Sequence, residues 1–282
     1  MKSVTLRNGV EVPIIGYGVY QITDNVQCKQ CVLDALSCGY RLIDTAAAYF
    51  NEEAVGAAIK ESGIPREEIF ITTKIWVQDF GYENTLKAFE TSLKKLGVDY
   101  IDLLLLHQPF NDYYGSWRAL EELYDAKKVR AIGVSNFYPD RLADLCLNCR
   151  IRPFVNQVEN HPFFQRKDDI KVAEEYGVKV ESWGPLARTS YGILDNEVLK
   201  SIAKHHNKSI AQICFRWNIQ RGIIIIPKSV HKDRIKENID IFDFELTNEE
   251  MESISKLDQG KSSIRKHFDP EFVKMINGYK IH

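Results

Sequence analysis

The 282-residue sequence predicts an α/β fold, a (β/α)8 TIM barrel preceded by an N-terminal β-hairpin, on three observations. Short runs rich in Val, Ile and Leu alternate with longer amphipathic stretches, which is how parallel strands joined by crossover helices read in sequence. No Pro/Ser-rich linker or compositional break divides the chain, so residues 1–282 are expected to form a single domain. With 44% apolar and 27% charged residues the chain can bury a large core. A barrel is among the few one-domain solutions of this length.

The elements follow in order. Residues 4–13, VTLRNGVEVP, alternate around Asn8-Gly9, a dipeptide that readily takes the positive φ angles of a two-residue turn, so the chain is expected to open with a hairpin. The eight strand candidates are YGVYQ (17–21), RLIDTA (41–46), IFITTKI (69–75), IDLLLLH (101–107), VRAIGVSN (129–136), FVNQVE (154–159), KVESWGP (179–185) and IIIIPKS (223–229). Helical patterns occupy 51–61, 85–96, 115–126, 139–145, 167–176 and 209–220, several ending near a Gly that can terminate a helix. The polar tail after Asp258 is expected to be a loop or short helix beyond the last strand.

Composition narrows the function classes. A formal net charge of −2, with both signs mixed along the chain, gives no long-range field for nucleic acid or an anionic membrane surface. The start, MKSVTLRNGVEVP, has no apolar core of signal-peptide length, and the runs at 101–106 and 223–226 are far too short to span a bilayer. A cytoplasmic protein is expected, and a monomer, since no long apolar patch or heptad seam is evident. The six cysteines include the pairs Cys28/Cys31 and Cys146/Cys149, the only hint of a metal or redox site. The expectation is that each pair lies on a helix as small, semi-apolar packing residues and that no metal is bound.

A barrel of this kind gathers its site at the C-terminal ends of its strands, so the informative residues are the polar ones that end the apolar runs. The second run ends in Asp44, with Tyr49 five residues on; the third ends in Lys74 and the fourth in His107. Singly, each has an ordinary structural explanation. Together on adjacent strands they say more, because a buried lysine is costly unless paired and Asp44 is the counter-ion in reach. Lys74 is expected to lower the pKa of Tyr49 by favouring its phenolate, and His107 to orient a substrate carbonyl. Given a hydride donor, such a site reduces C=O. The stretch Gly16-Tyr17-Gly18-Val19-Tyr20-Gln21 lacks the third glycine of the Rossmann fingerprint. A different anion site is visible after the eighth run, where Lys228, Ser229 and Arg234 surround an expected helix start, suited to a phosphate.

At these residues the chain resembles the aldo-keto reductases, with motifs along nearly its whole length. GYRLIDTAAAYFNEEAVGAAI, ITTKIW and LLLLHQP carry the family's tetrad, which falls on Asp44, Tyr49, Lys74 and His107. The resemblance implies NADPH as cofactor and a small-molecule carbonyl as substrate, with Tyr49 as proton donor. It places Ser135 and Asn136 of GVSNF and Gln157 of NQVE at the nicotinamide carboxamide, and Trp183 against the nicotinamide ring. Lys228, Ser229 and Arg234 are implied at the 2′-phosphate and Glu237 and Asn238 at the adenine. His231 stands where a hydroxyl residue is common in relatives. Gly18, Val19, Tyr20, Asp44, Leu186 and Val230 are implied to border the cofactor. Tyr20, Trp76, His107 and Phe110, with Tyr113 as a further candidate, are expected to line the substrate pocket. The compact NDYYGSW loop and short tail resemble the bacterial and lower-eukaryotic branch that reduces diketo-gluconate, methylglyoxal and other small aldehydes.

Two rival readings come from other functional classes. Relatives exist that keep the barrel and NADPH but act as regulatory subunits; the intact tetrad argues against this. A barrel hydrolase or isomerase could use Asp44, Glu159 and His107 as acid and base, but that leaves Lys74 and the IPKS cluster unexplained.

Overall fold

The computed structural model describes residues 2–262, 264 and 267–282. The chain opens with strands β1 (Ser3–Thr5) and β2 (Glu11–Pro13), paired antiparallel with Val4 opposite Val12. The turn between them differs from the two-residue form expected. Leu6 N donates to Val10 O and Gly9 N to Leu6 O, both at 2.9 Å, and in this turn only Gly9 takes a positive φ, 81°. That is a three-residue loop with a glycine bulge. Asn8 is drawn elsewhere, its side-chain amide donating to Tyr124 Oη (3.3 Å) and Arg130 O (3.0 Å), while Arg7 donates to the carbonyls of Arg152 and Pro153. The carbonyl partners lie at or just before the starts of later strands, so the hairpin covers the N-terminal end of the barrel.

Eight parallel strands follow: β3 (Tyr17–Gly18), β4 (Leu42–Asp44), β5 (Phe70–Ile75), β6 (Ile101–Leu106), β7 (Val129–Ser135), β8 (Val155–Glu159), β9 (Lys179–Trp183) and β10 (Ile224–Ile225). Each pairs with the next in sequence. The sheet closes where Ile15 bridges Ile225 in parallel, with Gly16 N donating to Ile225 O (2.8 Å) and Ile225 N to Ile14 O (3.0 Å). The first and last strands are much shorter than their apolar runs. After Gly18 the chain turns, Ile22 N donating to Val19 O, and after Ile226 comes Pro227, which has no N–H to offer a ladder.

The helices are α1 (Asn25–Ser37), α2 (Glu52–Ser62), α3 (Tyr82–Leu96), α4 (Tyr113–Asp125), α5 (Pro139–Asn148), α6 (Lys167–Glu175), α7 (Glu197–His206), α8 (Ile210–Gln220), α9 (Lys232–Ile239), α10 (Asn248–Ser255) and α11 (Pro270–Gly278). The six helical patterns match α2 to α6 and α8. Helices α7 and α10 lay outside those patterns, although each has a legible start: Asn196 accepts from Leu199 N, and Thr247 with Glu250 forms a reciprocal capping box. Gly56 lets α2 approach α3, because a Cβ there would fall 2.2 Å from Leu96 O.

Cys28 and Cys31 lie buried on α1, and Cys146 lies buried on α5 with Cys149 one residue past its end; all six cysteines are free thiols. The tail is more ordered than a loop. Trp76 Nε1 donates to Tyr279 O, Gln78 Nε2 to His282 O and Ile281 N to Gln78 Oε1, all at 2.8 Å, and Phe272 meets Phe110 edge-on. Residues 263, 265 and 266 of the tail lie outside the described residues. Among the described residues, no helix is long and apolar enough to cross a membrane.

Candidate active site

At the C-terminal end of β4 and β5, Lys74 Nζ donates to both oxygens of Asp44 at 2.7 Å and to Thr45 O at 2.9 Å. The register sets this meeting: Asp44 lies opposite Thr72, and Lys74 follows two residues on, on the same face of β5. The lysine side chain is 0% exposed, so all three ammonium hydrogens had to find acceptors inside the protein, and they did. Gln157 Nε2 adds a bond to Asp44 Oδ2 at 2.8 Å. Burial raises the Asp44 carboxyl above its ordinary value, against the opposing pull of Lys74 and Gln157.

Tyr49 ends a 3-10 turn that leaves β4. Asn51, fully buried, fixes that turn: its Oδ1 accepts from Thr45 Oγ1, and its Nδ2 donates to Val19 O and Ile22 O. The Tyr49 ring sits 4.9 Å from the Tyr20 ring, 5.6 Å edge-on from His107 and 5.0 Å from Lys74 Nζ. The expected lowering of its pKa is overturned. Burial, then the Asp44 carboxylate, hold the Tyr49 phenol well above its ordinary value, and the Lys74 ammonium is committed to Asp44 and Thr45. His107 is held neutral, pushed well below the usual imidazole range by burial and then by Lys74. Its ring meets Trp76 edge-on at 5.1 Å, and its Nδ1 is buried without a partner.

The next strands bring a connected polar group. Ser135 Oγ donates to Gln157 O, Asn136 Nδ2 to Ser135 Oγ and His107 O, and Trp183 Nε1 to Asn136 Oδ1. The Asn136 amide and the Gln157 Nε2 group are thus bonded within the protein in this arrangement. Trp183 is partly exposed, and the Arg188 guanidinium lies 5.7 Å from its ring and 5.2 Å from that of Tyr20. Ala187, Arg188, Thr189 and Tyr191 all take left-handed φ angles of 48° to 61°, so this stretch carries backbone strain. Leu186 precedes it, half-buried.

Beyond β10, α9 begins with no side-chain cap at His231, leaving its first N–H groups without a side-chain acceptor. Lys228 and Arg234 flank it, exposed and without an ion pair to any described residue, whereas Lys232 is bridged to Asp34 at 3.0 Å. Ser229 is buried, its Oγ accepting from His231 N; Val230 is half-buried, Glu237 exposed and Asn238 buried. Gly18 lies beside this corner, where a Cβ would fall 3.0 Å from Ile226 O, and Val19 N donates to Asp44 O. An uncapped helix start with two unpaired cations fits a phosphate. At the other end, Trp183 offers a flat, partly exposed ring beside Arg188, and His107 Nδ1 lacks a partner. The residues present fit a nicotinamide dinucleotide phosphate.

Tyr20, 37% exposed, stands with Trp76 and His107 around Tyr49, and Phe110 joins through the tail. Tyr113 does not belong there. It stacks on Tyr114 and its hydroxyl donates to Asp144 Oδ2 between α4 and α5, because the start of α4 faces the neighbouring helix. Glu159 is likewise not an acid–base partner of Asp44: it accepts from Ser262 Oγ (2.5 Å) and pairs with His161 Nε2 (3.0 Å). Residues missed in sequence are Thr45, Asn51, Glu181, Arg188 and the tail; Thr45, next to Asp44, and Asn51, two residues past Tyr49, lay close enough in sequence to be suspected. Among the described residues, the group of His, Cys, Asp or Glu that comes within metal-binding reach is His205, His206 and Glu250, none of them part of this site.

A phenol held against a buried ammonium, with an anion-attracting helix start on the same barrel end, defines a class: a (β/α)8-barrel oxidoreductase that uses a phosphorylated nicotinamide dinucleotide. Comparison with known proteins agrees. The profile of the Aldo/keto reductase family matches residues 15–259. A glyoxal reductase of Bacillus subtilis is 50% identical over 258 residues, 91% of this chain and 93% of that protein. The crystal structure of MGS-M4, an aldo-keto reductase from a Medee basin deep-sea metagenome library, superposes with a TM-score of 0.91 at 47% identity, covering 95% of this chain and 99% of that one. An aldo-keto reductase of Bombyx mori in complex with NADP gives 0.89 at 34% identity, covering 97% and 96%. This chain belongs to the aldo/keto reductase family.

Proposed function

We propose that the protein reduces small aldehydes, α-dicarbonyls such as glyoxal among them, to alcohols with NADPH, using Tyr49 as the proton donor. The observation that carries this is the fully buried Lys74–Asp44 pair beside Tyr49 and a neutral His107. The dicarbonyl preference is supported by the glyoxal reductase relative and by the aromatic rings of Tyr20 and Trp76 around Tyr49 and His107.

NADPH, when bound, supplies the hydride to the carbonyl carbon. Lys228, Arg234 and the α9 start would hold its 2′-phosphate, with Ser229 and Val230 beside it and Glu237 and Asn238 toward the adenine. Trp183 would pack on the nicotinamide, with Leu186 bordering it, and Ser135, Asn136 and Gln157 would exchange internal hydrogen bonds for bonds to the carboxamide. The Tyr49 hydroxyl donates its proton to the substrate oxygen. Because burial holds that phenol well above its ordinary value, the proton is in place throughout the neutral range. The phenolate left behind develops beside Lys74, whose charge then stabilises it. His107, neutral, orients the carbonyl by hydrogen bonding.

The chain is proposed to act as one barrel domain and as a monomer, which sedimentation velocity tests. A cytoplasmic location is supported by six unpaired thiols, four of them buried. For the chemistry, Tyr49→Phe is the test. Glyoxal-dependent NADPH oxidation is expected to fall by roughly 1,000-fold or more, while NADPH affinity stays within about twofold. Turnover near the wild-type rate in that variant overturns the assignment.

A further inference from the structure

Glu181 lies midway along β9, opposite Gln157 on β8 and Ile224 on β10. It is 0% exposed, and neither carboxyl oxygen makes a hydrogen bond of good geometry, although the Gln157 side chain lies close enough to favour its charged form weakly. Buried polar groups are nearly always bonded, so a carboxyl left alone in a barrel core points to a role that packing does not provide. The titratable groups facing it are Asp44 from β4, Lys74 from β5 and Tyr49 from the turn after β4. β8 contributes the uncharged Gln157, and β10 the apolar Ile224.

This part of the core therefore holds two carboxyls and one ammonium. Lys74 spends its three hydrogens on Asp44 and Thr45 O, and the Gln157 Nε2 group reaches Asp44. Nothing remains to neutralise a second carboxylate. Burial, then the Asp44 charge, push Glu181 up to about 8 against the opposing pull of Lys74 and Gln157, so in neutral solution it is an uncharged acid.

Resting on the reading of Tyr49 as proton donor, we propose that Glu181 is a positioning residue that keeps the charge of the reaction centre balanced. Protonated, it leaves Lys74 to serve Asp44 and the phenolate that Tyr49 becomes. Ionised, it competes for the same ammonium and sets a negative charge against that phenolate, so proton donation slows. Reduction then fades on the alkaline side through a residue that touches neither substrate nor cofactor.

The test is the single-turnover rate of glyoxal-dependent NADPH oxidation across pH in the wild type and in Glu181→Gln. One ionisation near pH 8 requires the wild-type rate to fall roughly tenfold between about pH 6.5 and 9. In Glu181→Gln the same ratio is expected to stay within about twofold, since the amide cannot ionise. Equal ratios in the two proteins overturn the proposal. If Tyr49→Phe is inactive while those ratios are equal, only the Glu181 proposal fails; an active Tyr49→Phe overturns the reading beneath it. Should Glu181→Gln not fold, a carboxyl-carbon NMR titration of the wild-type protein decides. A Glu181 signal titrating between about pH 7 and 9 supports the proposal, and one already ionised at about pH 6 overturns it.

Discussion

Two aspartates are buried at opposite ends of this barrel, and their partners differ. Asp102, the second residue of β6, accepts from Arg66 (2.6 Å), Arg130 (2.7 Å) and Ile71 N (2.9 Å), and its two guanidinium partners are 21% and 41% exposed. Asp44, the last residue of β4, meets a lysine that is 0% exposed. At the lower end the cations keep one side in water, so ionic pairing costs little desolvation and joins strand starts. At the upper end the pair is dehydrated throughout, and His107 Nδ1 and the Glu181 carboxyl nearby are left without partners. The same chemistry thus serves cohesion at one end and reactivity at the other.

Substitutions at each end sharpen that contrast. Lys74→Met strands a buried carboxylate, so it is expected to cost about 3–5 kcal/mol in urea unfolding and to lower turnover by roughly 100-fold or more. Asp102→Asn leaves two guanidinium groups that can still reach water. It is expected to cost about 2–3 kcal/mol in the same unfolding assay, with kcat within about twofold of wild type. If Asp102→Asn loses as much turnover as Lys74→Met, the division of labour between the two ends is wrong. The smallest effect is expected where charge is most exposed: Arg234→Ala should raise KM for NADPH roughly tenfold, leave kcat unchanged and reduce the salt dependence of binding. An unaltered KM would remove Arg234 from the phosphate site.

The upper site was legible to the extent that its residues end apolar runs. Asp44, Lys74 and His107 could be read because strand periodicity places the polar residues that end a run at the rim, whereas Asn136 and Trp183 came only with the family resemblance. What periodicity does not carry is the spending of hydrogen bonds. Spacing put Lys74 near Tyr49, but showed neither how deeply the phenol is buried beside the Asp44 charge nor that Asp44 and Thr45 use all the lysine's hydrogens, and the sign of the Tyr49 shift came out reversed, burial first. Tyr113 misled because an aromatic at a helix start looks the same whether it faces the mouth or the neighbouring helix. Arg188 and the tail act through contacts between distant loops, which no local pattern announces.

The tail holds Trp76 through the main-chain oxygen of Tyr279, not through a side chain. Every amino acid carries that oxygen. Mutation can therefore recolour the outer surface of the tail freely while the indole beside His107 stays where it is, so the rim can drift toward new substrates without the pocket floor being rebuilt. Insertions and deletions, which shift the carbonyl itself, are the changes this arrangement does not forgive.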